Sequence, residues 1–289
     1  MLGVLIDNQS KKPIYFGLKA LKYSSRSTLY SIIDNNGKIC VTSDYMEEFL
    51  KYIMVQLKVD KYVCPESNES RPKGVRMILN DLCMDSSFKD KMLSLLFNRF
   101  NVTYVAFLNP VELTLPDPVS TGVIVDIGDS TTKIVPICRG QIISGAQYCY
   151  DIAGNAITQY LVQLLETRYK YKFNAETPGH GLEMARKIKE KFCYVAQKFI
   201  EERSDVIGQY VELPNGQLII MDMERIQCPE ILFQPNLIGR NQIKSLPCLI
   251  ERVINKCEAI HHDELYTNII ITGGSSLVSF FLINNIKSI

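Results

Sequence analysis

Gly122-Val-Ile-Val-Asp126-Ile-Gly128-Asp129-Ser130-Thr131-Thr132-Lys133 is an apolar run that ends in an aspartate, a glycine turn and a second strand-forming segment. Glycine lets such a turn take positive φ, so successive backbone N–H groups can point at one anion. Asp126 and Asp129 stand where a phosphate-bound cation would need oxygen ligands. The pattern reads as a β-hairpin that cradles nucleotide phosphate. The same letters also describe an ordinary turn with surface aspartates. The four apolar residues before Asp126 and the continuation Lys133-Ile-Val-Pro-Ile137 favour the cradle.

Working outward, the hairpin opens a meander over 122–126, 131–137 and 141–145, with a turn at Arg139-Gly140. Asp151-Ile-Ala-Gly154 leads into a helix over about 156–167. After Pro178-Gly-His-Gly181 comes a long amphipathic helix, its apolar face carrying Ala185, Ile188, Phe192, Val195, Ala196 and Phe199. Asn215-Gly216 turns a second hairpin, and another helix starts at Leu246. Asn268-Ile-Ile-Ile-Thr272 reads as a strand that ends in Gly273-Gly274-Ser275-Ser276 and opens a helix. Upstream, Asn35-Asn36-Gly37 is a turn, Ser43 caps a helix, and Pro65 to Pro72 is a loop rich in breakers. Val75–Leu79 and Val102–Phe107 read as strands around a helix over 87–100. The prolines of Leu115-Pro-Asp-Pro-Val-Ser120 suggest a domain crossing. Strands and helices alternate throughout, which predicts α/β architecture.

The chain has 289 residues, of which 46% are hydrophobic and 22% charged. That is enough apolar mass for a large core or two domains. A formal net charge of +1 provides no field to recruit nucleic acid or a membrane surface. No apolar run approaches the ~18 residues of a membrane span. The N-terminal residues have no basic segment that would make a signal peptide. The nine cysteines form no CxxC and no short-range ladder, so they are expected to be reduced thiols of an intracellular protein rather than metal ligands. His180, His261 and His262 read as turn and surface residues. No Ser/His/Asp or Cys/His arrangement stands out.

Two further segments carry candidate chemistry. Gly273 and Gly274 place small residues where a strand turns into a helix, which lets a flat ligand approach the backbone. Arg186-Lys-Ile-Lys189-Glu190-Lys191 puts Arg186 and Glu190 at a favourable i,i+4 spacing, and Lys187 and Lys191 at an unfavourable one. That is the pattern of a solvated helix face. Alternatively Lys189 and Glu190 meet a ligand edge.

Six blocks in this order resemble the actin and actin-related protein family: Val125 to Ile137, Asp151 to Gly154, Ile188 to Val195, Glu212-Leu-Pro-Asn-Gly-Gln217, Cys228-Pro-Glu-Ile-Leu-Phe-Gln-Pro235 and Ile271 to Ser276. The resemblance implies an actin-like ATPase fold, ribonuclease H-like and two-lobed, with ATP or ADP and Mg or Ca in the cleft. Residues 1–118 would form a partial outer lobe. Residues 119–289 would form the inner lobe, with 155–241 as its inserted subdomain. By the same resemblance Asp126, Gly128, Asp129, Ser130 and Thr131 match the second phosphate loop, and Asp126 would hold cation-bound water. Gly154 matches a position near the ribose. Arg186, Lys189 and Glu190 match the helix flanking the nucleoside. Gly273, Gly274, Ser275 and Leu277 match the turn facing the nucleotide.

The departures from the family matter as much. Its first phosphate loop has the form D-N-G-S-G, of which Asp7-Asn8-Gln9-Ser10 is a faint echo. Its water-orienting glutamine falls at Leu108-Asn109, and the aromatic that stacks on adenine falls at Val278. The family continues beyond the point matching Ile289, so the outer lobe is expected to be incomplete. Val278, Phe280, Phe281, Leu282, Ile283 and Ile286 would then leave an apolar patch that suits a partner. Phosphoryl transfer relies on positioning and charge stabilisation, so these changes predict weakened nucleotide binding and little or no hydrolysis. The expected role is a structural or scaffold component of a cytoskeletal or nuclear assembly, cytoplasmic or nuclear, with actin, actin-related proteins or assembly subunits as partners. The competing reading is a filament-forming actin-type ATPase with a longer full-length product. A sugar or acetate kinase of the same superfamily ranks below both.

Overall fold

The computed structural model describes residues 3–6, 13–16, 28–31, 43–59, 74–80, 86–108, 111, 114–115, 119–173, 180–213 and 216–278. The expectations for Asp7–Ser10, for the turn at Asn35–Gly37, for the loop 65–72, for Asn109 and for the segment after Val278 lie outside these residues. The chain divides into two compact units, Met1–Leu113 and Thr114–Ile289.

In the first unit, β1 (Gly3–Ile6) pairs antiparallel with both β2 (Pro13–Phe16) and β3 (Thr28–Ser31). Helix α1 (Ser43–Gln56) carries Met46, Phe49, Leu50 and Met54 at helical spacing, and all four are buried. Next come β4 (Val75–Asn80), α2 (Ser86–Arg99) and β5 (Val102–Leu108). Strands β4 and β5 pair in parallel, so α2 is the crossover that parallel pairing requires. Asn101 reverses the chain between α2 and β5 with φ 42°, a conformation asparagine adopts more readily than most residues. Met92, Leu96, Phe100 and Val102 pack against the apolar face of α1 to make this unit's core.

The second unit is built on a five-stranded sheet. Strand β6 (Gly122–Ile127) lies at its centre, with Val123, Ile124, Val125 and Ile127 all at 0% exposure. A strand covered on both faces needs an apolar run, and 122–125 supplies it, with half-buried Asp126 standing where the strand nears its end. Strand β7 (Thr132–Cys138) pairs antiparallel with β6, placing Asp126 opposite Lys133 and Ile127 opposite Thr132. Strands β8 (Gln141–Ile142) and β9 (Tyr148–Tyr150) share the far edge of β7. The Arg139-Gly140 turn has positive φ at both residues, 51° and 76°, as a tight hairpin turn requires. The expected third strand over 141–145 is shorter. The chain turns at Ser144–Ala146, with Gly145 at φ 86°, and re-pairs as β9.

Helix α3 (Gly154–Tyr169) packs on α4 (His180–Phe192). The amphipathic helix expected to run through Phe199 stops at Phe192. The Arg225 guanidinium donates to the Phe192 carbonyl at 2.9 Å, placing a cation at the helix C-terminus, and Tyr194 N–H donates to the Arg225 carbonyl. Val195 and Ala196 stay buried in irregular chain, and a separate turn of helix, α5 (Phe199–Glu202), follows. Apolar spacing alone did not reveal this break, because burial continues through it.

A two-stranded ribbon comes next, β10 (Gln209–Glu212) and β11 (Leu218–Met221), then α6 (Glu224–Gln227). Helix α7 (Leu246–Ile254) packs against β7, and α8 (His262–Thr267) against β6. Strand β12 (Ile269–Thr272) closes the unit by pairing parallel with β6, Thr272 beside Asp126. Among the described residues no helix is long and apolar enough to cross a membrane.

Candidate functional site

The turn between β6 and β7 is held on three sides. Gly128 N–H donates to the Thr131 carbonyl at 3.0 Å, closing the turn on itself. The first two N–H groups of α3 donate into it, Gly154 to the Gly128 carbonyl at 3.0 Å and Asn155 to the Asp129 carbonyl at 2.7 Å. The Ser275 hydroxyl donates to the same Gly128 carbonyl at 2.7 Å. These bonds consume the carbonyls of 128 and 129. Among the described residues no hydrogen bond engages the N–H groups of Asp129, Ser130 or Thr131. A turn whose carbonyls are held and whose amides are left over is suited to an anion.

Two glycines allow the approach. Gly273 has φ 93°, and a Cβ there would stand 2.3 Å from the Ile127 carbonyl oxygen and 2.6 Å from Asp126 Oδ1. The parallel register of Thr272 with Asp126 therefore continues into a contact that only glycine permits. A Cβ at Gly154 would lie 2.3 Å from Ser275 Oγ. Gly274 has open space beside it.

The Asp126 carboxyl is half-buried. Burial raises its pKa above the ordinary aspartate value, and Lys133 across the hairpin partly offsets this. Desolvated carboxylates with an open side are favourable cation partners, because a divalent ion returns the charge that burial penalises.

Lys189 is 4% exposed, and its ammonium donates to the Gly154 carbonyl at 2.9 Å. Burial pulls its pKa below the ordinary lysine value, with Asp129 the leading opposing charge. The lysine thus ties α4 to the start of α3 at the turn. Arg186, one turn earlier, is clamped between Glu183 at 2.6 Å and Glu190 at 2.8 Å. Glu183 is the main group pushing its pKa up, and the Asp129 charge adds to the effect.

The structure therefore brings together Asp126, Gly128, Asp129, Gly154, Lys189, Gly273 and Ser275. Ser130 and Thr131 form the tip of the turn. Glu190 reaches the group only through Arg186, and its side chain is half exposed. Leu277 is 84% exposed and takes no part in the hydrogen bonds of the turn. Gly273–Leu277 opens a single 3₁₀ turn over Gly274–Leu277 where a longer helix is expected, and the chain after Val278 lies outside the described residues.

Two threonines escaped sequence reasoning. The Thr132 hydroxyl, fully buried, donates to the Ile152 carbonyl at 2.7 Å and joins the hairpin to the segment leading into α3. The Thr158 hydroxyl donates to the Gly154 carbonyl at 2.9 Å, the acceptor Lys189 also uses. Its position four residues after Gly154 was the available signal.

Comparison with known proteins shows the family. The family described as Actin matches over residues 1–282. The chain is similar to actin-related protein 2 of Schizosaccharomyces pombe, 34% identical over 217 residues, covering 71% of this chain and 53% of that protein. It is similar to actin-related protein 2 of Acanthamoeba castellanii, 30% identical over 280 residues, 94% of this chain and 67% of the relative. Against actin-related protein 2 of Caenorhabditis briggsae it is 34% identical over 222 residues, 74% of this chain and 54% of the relative. The chain thus spans from about half to two thirds of the length of these relatives. The match carries the actin-like ATPase fold, in which the mixed α/β units take their place.

Proposed function

The chain belongs to the actin family, and from that premise we propose that it is a divergent actin-related protein with a structural role in a cytoskeletal assembly. Its β6–β7 turn keeps a weakened contact with the phosphates of ATP or ADP, and hydrolysis is slight or absent. The observation that carries the reading is the turn itself, whose carbonyls are held by Gly154, Asn155 and Ser275 while, among the described residues, nothing engages its amides at 129–131. Those amides fit phosphate oxygens, and Asp126 fits the water shell of Mg or Ca. The cation would neutralise phosphate charge there. Gly274 leaves room for the nucleotide body, while Gly273 lets the 273–275 turn close on Ile127 and Asp126. Lys189 and Arg186 act one step back, fixing the start of α3 and the field around Asp129.

Weak hydrolysis is read from two positions at which the family pattern carries other residues. Leu108 offers no hydrogen bond to an attacking water. Val278 supplies no aromatic face for adenine and is itself buried. Loss of a water-positioning group costs orders of magnitude in rate. Residues 1–118 are assigned to the outer lobe and 119–289 to the inner lobe, with 155–241 inserted in the latter. The similarity to actin-related protein 2 supports actin-family or other assembly subunits as partners, and a cytoplasmic, cytoskeletal location.

The test is Mg-ATP binding by calorimetry together with phosphate release, on the wild-type chain and on Asp126→Ala. The expected result is weak binding that Asp126→Ala abolishes, with negligible turnover. Actin-like turnover that depends on Asp126 would favour the filament-forming ATPase instead.

A further inference from the structure

Cys193 and Cys228 lie 35 positions apart in sequence, yet their sulfurs are 3.3 Å apart, with the Cys228 thiol donating to the Cys193 sulfur. Neither is in a disulfide. The backbone already holds the two segments side by side. Tyr194 N–H donates to the Arg225 carbonyl, and the Arg225 guanidinium reaches back to Phe192. Disulfide formation needs the two sulfurs to approach to about 2.05 Å. Segments zipped this closely have little distance left to cover.

Both thiols are buried, Cys193 at 3% exposure. Cys228 is fully buried. Cys193 lines a cavity of about 620 Å³ together with Tyr194, Gln197, Glu202, Ile207 and Arg225. Burial, followed by the neighbouring Cys193, pushes the Cys228 thiol well above its ordinary pKa, so it stays protonated. Cys193, on the cavity wall, is the member of the pair that a small solute reaches, and Cys228 lies behind it to resolve the product.

We propose that Cys193 and Cys228 form a paired-thiol modification site, which hydrogen peroxide entering the cavity converts to a disulfide. The Cys193 sulfur attacks one peroxide oxygen. The O–O bond breaks, water leaves, and Cys193 becomes a sulfenic acid. The Cys228 sulfur attacks that sulfur, the S–S bond forms and the S–O bond breaks. The departing hydroxide takes the Cys228 proton as the second water. Two thiols lose two electrons, and one peroxide becomes two waters.

The placement sets the consequence. Residues 193 and 228 stand at the two ends of the segment holding α5, the β10–β11 ribbon and α6. A bond between them staples the neck of that segment. The oxidised protein resists local opening of the ribbon, an effect that reduction reverses.

The test uses the full chain, reduced, then treated with stoichiometric hydrogen peroxide and alkylated in denaturant for peptide mapping. A Cys193–Cys228 linked peptide that dithiothreitol reverses is expected, with amide exchange over 209–221 slowed severalfold. In Cys228→Ala, Cys193 is expected to stop at the sulfenic acid and gain a dimedone adduct. The proposal is overturned if exposed Cys149 and Cys248 oxidise while the linked peptide is missing, or if Cys193 runs on to sulfinic acid with Cys228 still reduced. Unchanged ribbon exchange in the linked form overturns the staple. If Cys228→Ala does not fold, the wild-type peptide map decides alone.

Discussion

Ser275 donates its hydroxyl to the carbonyl of Gly128 at 2.7 Å, joining residues 147 positions apart at the turn between β6 and β7. The bond fixes the carbonyl of Gly128 and so the shape of the turn. Ser275→Ala removes it, leaving Gly128 O with the Gly154 N–H alone. The expected loss is about 1 kcal/mol of stability in urea unfolding, with a larger relative loss of nucleotide affinity. An unchanged affinity would mean that the turn keeps its shape without the serine.

Gly154→Ala places a Cβ 2.3 Å from Ser275 Oγ. A clash of this kind costs roughly 1–3 kcal/mol. The double variant Gly154→Ala with Ser275→Ala removes the obstructing oxygen. It is expected to be less destabilised than the sum of the two singles, a coupling that a double-mutant cycle reads directly. Strict additivity would place the cost of the alanine elsewhere.

Lys189→Met tests the buried ammonium. Its folded pKa lies below the unfolded lysine value, so between the two the unfolded chain binds more protons and wild-type stability rises with pH. Lys189→Met is expected to lose this rise. At neutral pH the change should be modest, because Thr158 still donates to the Gly154 carbonyl. The measurement is the denaturation midpoint against pH for both proteins.

Glu230 lies in the 3₁₀ turn Pro229–Leu232 at 6% exposure, hydrogen-bonded to Gln234. Burial raises its pKa from 4.5 to about 7. Across that window the folded protein holds more protons than the unfolded one, so stability falls as pH rises and the loss is complete above both values. Glu230→Gln is expected to flatten this slope and gain roughly 2 kcal/mol at pH 8, after allowance for residual solvent screening. A steeper slope in the variant would point to another titrating group.

Asp126→Asn separates binding from folding. Burial raises the Asp126 pKa, so the ionised group opposes stability at neutral pH and the amide should raise the melting temperature slightly. The same change should weaken Mg-nucleotide binding. In the wild type that affinity should fall as pH drops through the raised pKa, because protons then compete with the cation. Equal loss of stability and binding would make Asp126 a structural residue only.

Sequence alone pointed to the hairpin, because the apolar residues 122–125 running into Asp126, a glycine at 128 and a strand-forming segment after 131 are the local pattern of two strands joined by a tight turn. The same holds for the helix of residues 43–56, whose apolar spacing needs only its own period. The order of the six family-like blocks carried the resemblance, since six blocks in one order are more specific than any one of them. Spacing could not show that α4 ends at Phe192. That end depends on Arg225, which becomes a neighbour only when the chain returns beside it.

Tertiary structure decided the roles. In sequence Lys189 is one charge in a basic run on a helix. Folding buries it, and its ammonium then has to find the Gly154 carbonyl. Gly154, Ser275 and Gly128 are unremarkable apart, and they become one site because β12 pairs in parallel with β6 and carries the 273–275 turn alongside Asp126. The Cys193–Cys228 contact follows the same rule. Periodicity and motif are local properties that a sequence displays directly. Which buried polar groups face one another depends on chain returns over many tens of residues, and only the packed fold specifies those.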